Sequence, residues 1–205
     1  MRGNAHAIIS GAAGAVLATL TYQPLLPSVL FGAVGGLLPD IDHPHSTLGR
    51  YVPWPAAAVE NHRTGFVANG RRWFGGHTVW HRGETHSVGA VGIATMGAMG
   101  TTVGALDWAR HTSALVAALA RGGLHLPGPW EAGAVVGAAV LVGYLSHLVA
   151  DLVNVSPQML WWPFSRRMVH VPHWHGISER SEAGHWAEAG AVVLALIGAV
   201  AVVVR

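Results

Sequence analysis

The run GAVVGAAVLVGYLSHLVADLVN, residues 133–154, decides how this sequence is interpreted. It carries no charged residue before Asp151, and as a helix it is long enough to cross a hydrocarbon core of ~30 Å. It ends in His147 and Asp151, which are four positions apart and therefore share one helix face. The run predicts a membrane-spanning helix with two ionisable groups at one end.

The composition of the whole chain also indicates a membrane protein. Charged residues make up 11% of the 205 residues and hydrophobic residues 51%, whereas a soluble domain carries about 25% charged residues. Disorder is excluded, because it requires low hydrophobicity and high net charge. A net charge of +2 without a basic run argues against a nucleic-acid partner, and the absence of Cys excludes disulfides and thiolate metal sites. The 14 His residues outnumber the 10 carboxylates.

Apolar segments divide the chain into about five spans. No Lys, Arg, Asp or Glu occurs between Gly3 and Pro39, and Gln23-Pro24 interrupts this stretch, which indicates a helical hairpin. A signal peptide is the alternative for its first segment. The predicted spans are 6–22, 25–38, 87–106, 131–150 and 189–204. We expect an all-α polytopic membrane helical bundle in a single domain over 1–205, with 51–80 an interfacial insertion and 112–120 at the interface.

The distribution of arginine predicts the orientation. Five spans place the N-terminus and the 39–86 and 151–188 loops on one side, and nine of the 12 basic residues lie there. The excess predicts that this side is cytoplasmic. Several Trp residues flank the spans, among them Trp161 and Trp162; they fit an interfacial belt or, alternatively, a lipid-facing cleft.

Polar clusters lie at the predicted span ends on this same side. In chain order they are His6; Asp40, Asp42 and His43; His81, Glu84 and His86; and His147 with Asp151. Each cluster alone also fits an ordinary polar helix end, a loop or a local His–Asp pair. Their common location favours one shared site. Imidazole and carboxylate side chains together are ligands that suit Zn²⁺ or Mn²⁺, so a metal site is the prediction.

Three ordered motifs carry a family resemblance. LPDIDHPHSTLG at 38–49, HRGETHS at 81–87 and GYLSHLVADLVN at 143–154 resemble the YdjM family of bacterial inner-membrane proteins, which are predicted metal-dependent hydrolases. A looser similarity links the His/Asp pattern to zinc-dependent phospholipase C. The resemblance implies a site with more than one ion, and its candidate ligands are His6, Asp40, Asp42, His43, His81, His86, His147 and Asp151. Glu84 departs from the family pattern, which has an apolar residue there.

The resemblance implies a membrane-bound hydrolase in which metal-activated water attacks a phosphoester or ester. A site at the membrane interface favours membrane lipids or a lipid-linked substrate. Arg82 is the candidate for binding an anionic oxygen, and Asp42 or Glu84 for accepting a proton. The alternatives are a non-catalytic metal-binding scaffold and a divalent-ion transporter. Transport requires ionisable groups near the bilayer midplane, whereas these groups lie at segment ends.

Overall fold

The computed structural model is predominantly helical in the part of the chain that it describes. Apart from one isolated bridge between Gln158 and Val169, that part contains no strand pairing. The described residues are 3–43, 46–51, 84–113, 116, 118, 127–152, 157–165, 167–169 and 182–204.

Five α-helices follow one another along the described chain. They are α1 Gly3–Thr21, α2 Leu25–Leu37, α3 Val88–Thr112, α4 Pro129–Leu152 and α5 Glu182–Val203. Two short 3₁₀ turns, Leu38–Asp42 and Glu84–His86, lie after α2 and before α3. The predicted all-α bundle is confirmed, and each of the five predicted spans overlaps one helix.

Four of these helices have the length and apolar composition to cross a membrane: α1, α3, α4 and the part of α5 from Gly184 to Val203. The fifth, α2, is shorter, and with its 3₁₀ extension the apolar helix runs over Leu25–Ile41. Apart from Tyr51, the predicted insertion 51–80 lies outside the described residues, as does most of the interfacial stretch 112–120.

The link between α1 and α2 is a tight helix-terminating turn. Tyr22 adopts the left-handed conformation with φ 54°, and the backbone N–H of Gln23 donates to the Ala18 carbonyl at 2.8 Å. This bond satisfies one of the carbonyls that the last turn of a helix leaves open. Pro24 then starts α2 from an extended conformation. The sequence Tyr-Gln-Pro therefore reverses the chain and produces the predicted hairpin.

Helix α4 is the centre of the bundle, because it contacts α1, α2 and α3, whereas α5 packs against α1. Its approach to α2 is close enough to require glycine on both sides. A Cβ atom on Gly143 would overlap the Gly32 carbonyl, and one on Gly35 would lie 2.5 Å from the Val140 carbonyl oxygen. Small residues allow membrane helices to pack backbone against backbone in this way.

Gly143→Ala tests this close packing. The added methyl group has no room against α2, and overpacking of this kind costs about 1–3 kcal/mol. We expect a lower melting temperature of the detergent-purified protein, followed by size-exclusion chromatography after heating. Gly97→Ala on α3 is the matched control, because nothing lies within 4 Å of a Cβ atom built there. Equal melting temperatures for the two variants would contradict the proposed α2–α4 contact.

Candidate metal centre

The last two turns of α4 supply a buried histidine and a buried aspartate. His147 and Asp151 share one face of the helix, as their spacing predicted, and both are almost fully buried. The His147 Nδ1 atom lies 2.6 Å from the Gly36 carbonyl oxygen, which can only accept a hydrogen bond. Nδ1–H therefore donates this hydrogen bond, and Nε2 is the ring nitrogen that faces the other side chains and can serve as a metal ligand.

The Gly36 carbonyl is available because of how α2 ends. Carbonyls in the last turn of a helix lack partners within the helix, and Gly36 is the residue before the last one of α2. Pro39 follows three positions later and has no N–H to offer it. The His147 ring fills this position, so the end of α2 fixes the orientation of a side chain on α4.

The 3₁₀ turn after α2 places Asp40 beside His147. Pro39 is the second residue of that turn and is fully buried. Asp40 follows at the edge of the cluster with 13% of its side chain exposed. Proline fixes φ and so limits the conformations of this turn. Among the clustered side chains, Asp40 has the greatest access to solvent.

His86 enters from the 3₁₀ turn that precedes α3. Ser87 caps α3, since its hydroxyl accepts a hydrogen bond from the Ala90 N–H at 3.2 Å. The Tyr144 hydroxyl on α4 donates to the Thr85 carbonyl at 2.5 Å, and it holds the turn against α4. The cap and the tyrosine together direct the fully buried His86 ring toward His147.

His6 completes the cluster from the first turns of α1. Its ring stacks on that of His147 with a centroid separation of 3.7 Å. One turn further on, the Ser10 hydroxyl donates to the Gly143 carbonyl at 3.0 Å and lies 2.7 Å from the Ser146 hydroxyl. These bonds set the register between α1 and α4, which brings both histidines to the same level.

The Nε2 atoms of His86 and His147 lie close to each other and to one oxygen of each of two carboxylates. His86 Nε2 lies 3.3 Å from His147 Nε2, 3.5 Å from Asp40 Oδ1 and 3.5 Å from Asp151 Oδ2. His147 Nε2 lies 3.7 Å from Asp40 Oδ1 and 3.6 Å from Asp151 Oδ2. The other oxygen of Asp151, Oδ1, lies 3.4 Å from His6 Nε2.

These separations fit ligands around a cation better than hydrogen bonds between the side chains. Nitrogen–oxygen hydrogen bonds span about 2.7–3.2 Å. In contrast, tetrahedral Zn²⁺ with bonds of about 2.0–2.1 Å places its ligand atoms about 3.3–3.4 Å apart. Two groups have donor atoms close enough to hold an ion, namely His6–His147–Asp151 and Asp40–His86–His147. The residues thus fit a divalent metal, and His147 belongs to both groups.

The negative charges of the two clustered carboxylates need positive charge nearby. Burial lowers the pKa of His86, but the neighbouring carboxylates of Asp151 and Asp40 outweigh this effect, and the net pKa lies above the ordinary value. The Nδ1 atom of His6 is buried and has no hydrogen-bond partner among the described residues. Two carboxylates in so little solvent need cations or protons to neutralise them.

The structure brings together five of the eight candidate ligands: His6, Asp40, His86, His147 and Asp151. His43 lies at the end of its 3₁₀ turn, half-buried, and belongs to neither donor group. Glu84 is exposed at the start of the turn that ends in His86. The Asp42 side chain, His81 and Arg82 lie outside the described residues.

Sequence reasoning missed the residues that orient the ligands. These are Gly36, Ser10 and Tyr144, which act through a carbonyl, a hydroxyl and a phenol. A partial signal was present: Ser10 follows His6 by four positions and so shares its helix face. Tyr144 and Gly36 offered no comparable pattern, because their partners are 59 and 111 positions away in the chain.

The chain is similar to one family of inner membrane proteins. A family model described as YdjM inner membrane protein matches residues 1–205. The inner membrane protein YdjM of Escherichia coli (strain K12) is 30% identical over 148 residues, which cover 72% of this chain and 54% of that protein. The protein of the same name from Shigella flexneri gives the same values. The chain thus spans about half the length of the curated relatives it matches. No solved structure matches it.

His147→Ala tests the metal centre. Because His147 belongs to both donor groups, its loss should weaken binding of Zn²⁺ or Mn²⁺ by more than the roughly 10–100-fold typical of losing an outer-shell partner. The measurement is the metal content of the detergent-purified protein after dialysis against a defined metal concentration. His111→Ala is the control, since that histidine is 76% exposed on α3 and pairs with Asp107. Equal metal content in both variants and the wild type would contradict a site at His147.

Proposed function

Because the chain belongs to the YdjM family of inner membrane proteins, we propose that its His/Asp cluster is the metal centre of a membrane-bound hydrolase. The observation that supports this most directly is that the Nε2 atoms of His86 and His147 lie 3.3 Å apart and each lies 3.5–3.7 Å from an oxygen of Asp40 and of Asp151. Three imidazoles and two carboxylates form a donor set suited to Zn²⁺, with Mn²⁺ a second choice.

The shared use of Asp151 supports more than one ion. Its Oδ2 atom is directed at His86 and His147, whereas its Oδ1 atom is 3.4 Å from His6. A carboxylate with its two oxygens directed at separate histidine sets can contribute to two neighbouring ions. The remaining ligands of a second ion would then come from Asp42, His43 or His81, the other members of the predicted set.

When bound, divalent metal supplies an activated water nucleophile and stabilises charge on a phosphoryl or acyl oxygen. The chain's own residues define the approach to the centre. Because Asp40 retains 13% side-chain exposure while the histidines are sealed, the substrate approaches on the Asp40 side. Glu84 is exposed at the start of the turn that ends in His86, so it can accept a proton there, as can Asp42. Arg82 can bind an anionic oxygen.

The location of the centre supports a lipid-linked substrate. All the clustered ligands lie at or beside the ends of apolar helices, and the interior of α4 consists mainly of Gly, Ala, Val and Leu. A centre at helix ends meets the headgroup region of a bilayer, where phosphoester and acyl ester bonds of lipids lie.

The same location argues against a transporter, whose ion sites lie near the midplane. We place the centre on the cytoplasmic side of the bacterial inner membrane.

A non-catalytic metal scaffold is the second candidate, and the burial of the cluster favours it. His6, His86 and His147 are all almost fully buried, and structural metal sites are typically closed whereas catalytic ones keep an open position.

Hydrolysis of ester substrates tests the first candidate. We expect the Zn²⁺-loaded or Mn²⁺-loaded protein in detergent to release phosphate or fatty acid from phospholipid or polyprenyl-phosphate substrates. Asp40→Asn should abolish release, because it replaces a charged carboxylate ligand at the entrance of the site with a neutral amide oxygen. Asp107→Asn is the control, since that carboxylate is 62% exposed and pairs with His111. If Asp40→Asn and wild type release product at the same rate, the hydrolase proposal is wrong.

Chelation of the wild-type protein separates the two candidates. A catalytic metal predicts that the chelated protein elutes as the same species in size-exclusion chromatography and loses activity, which returns on adding metal. A structural metal predicts a large fall in melting temperature or aggregation, because its binding free energy contributes directly to folding. Elution volume, melting temperature and activity are measured on the same samples of the wild-type protein before and after chelation.

A further inference from the structure

A short hairpin lies beside the metal centre and takes no part in ligation. We define it as the aromatic hairpin, residues 157–169, of which all except residue 166 are described. Its ends are joined by two backbone hydrogen bonds: Gln158 N–H to the Val169 carbonyl at 2.9 Å, and Val169 N–H to the Gln158 carbonyl at 2.8 Å. The turn between them contains the sequence Leu-Trp-Trp-Pro-Phe, residues 160–164.

The aromatic hairpin is fixed to α4 next to a metal-centre residue. The Gln158 side chain is fully buried, and its Nε2 atom donates to the Leu148 carbonyl at 3.0 Å. Leu148 directly follows His147. Leu160 packs against the buried cluster of Val91, Tyr144 and Leu148. The hairpin therefore shares a core with the residues that hold the histidines.

The aromatic hairpin is also fixed to the start of α3. The first N–H groups of an α-helix have no partner within the helix. Here Val88 N–H donates to the Leu160 carbonyl and Gly89 N–H to the Trp162 carbonyl, both at 2.9 Å. A Cβ atom at Gly89 would lie 2.7 Å from Trp162 and Pro163 atoms, so the contact is close. These bonds begin two residues after His86.

The outer side of this anchored hairpin is aromatic and exposed. Trp161 is 52% exposed and Phe164 is 87% exposed. Arg167, three residues beyond Phe164, is also exposed. Large aromatic rings on a rigid turn at the ends of membrane-length helices, with an arginine close by, form the combination that proteins place at the lipid headgroup boundary.

We propose that the aromatic hairpin is a lipid-docking element that inserts Trp161 and Phe164 at the boundary between phospholipid headgroups and acyl chains. Its occupant is the bilayer itself, because α3 and α4, to which it is fixed, are apolar helices of membrane-spanning length. Since its anchors adjoin His86 and His147, docking sets the depth of the metal centre relative to the headgroups. This role concerns position in the membrane, and it holds whether or not the metal centre is catalytic.

The absence of cysteine from the sequence allows a direct test. Phe164→Cys is labelled with an environment-sensitive fluorophore, and the full chain is placed in nanodiscs of phosphatidylcholine and phosphatidylglycerol, in which both faces are accessible. We expect blue-shifted emission relative to the free dye. We also expect stronger quenching by lipid nitroxides near the glycerol end of the acyl chain than by nitroxides near its methyl end. Slow reduction of the dye by aqueous dithionite should accompany both.

Leu194→Cys is the matched control, because Leu194 is 71% exposed in the interior of α5. Its label should be quenched more strongly by the nitroxides near the methyl end. Trp161→Cys provides a second site in the hairpin and should behave like Phe164→Cys. Two outcomes would overturn lipid docking: reduction by dithionite as fast as for the free dye, or protection from dithionite without quenching by either lipid nitroxide. The second outcome would indicate that protein covers the hairpin.

Discussion

The structure depends on keeping several ionisable side chains buried at the ends of apolar helices. Uncompensated charge in such a location is strongly unfavourable, so each group must be paired, hydrogen-bonded or bound to a cation. The two carboxylates, Asp40 and Asp151, are each within 3.7 Å of imidazole nitrogens, and His147 also donates to a backbone carbonyl. This requirement brings the start of α1, the ends of α2 and α4, and the turn before α3 together in one cluster.

Close helix packing makes that convergence possible. Where α4 crosses α2, the contact is between backbones, because Gly143 faces Gly32 and Gly35 faces Val140. Hydrogen bonds then select the register: Ser10 on α1 reaches the Gly143 carbonyl one turn below the metal centre. Since membrane helices gain little from hydrophobic association, such small-residue contacts and polar bonds determine which helix faces meet. The geometry of the metal centre is therefore determined by contacts between helices within the bundle.

The candidate metal centre and the aromatic hairpin adjoin each other at the ends of the apolar helices. Its ligands close the site from the helix side, with Asp40 left as the most accessible donor. The aromatic hairpin adjoins the same site through Gln158 and the first residues of α3. In the proposed function, the metal centre acts on groups at the headgroup level while its histidines stay buried. That arrangement links the proposed hydrolysis of a lipid-linked substrate with the proposed docking of the hairpin.

The sequence by itself determined the helices and most of the candidate ligands, because apolar length and i, i+4 spacing are local properties of the chain. The run ending in His147 and Asp151 predicted both a span and a shared helix face. Which donors converge was decided only by the tertiary structure, because that depends on contacts between residues far apart in sequence. His43 matches the ligand motif but belongs to neither donor group, whereas Gly36 carries no sequence signal yet orients His147.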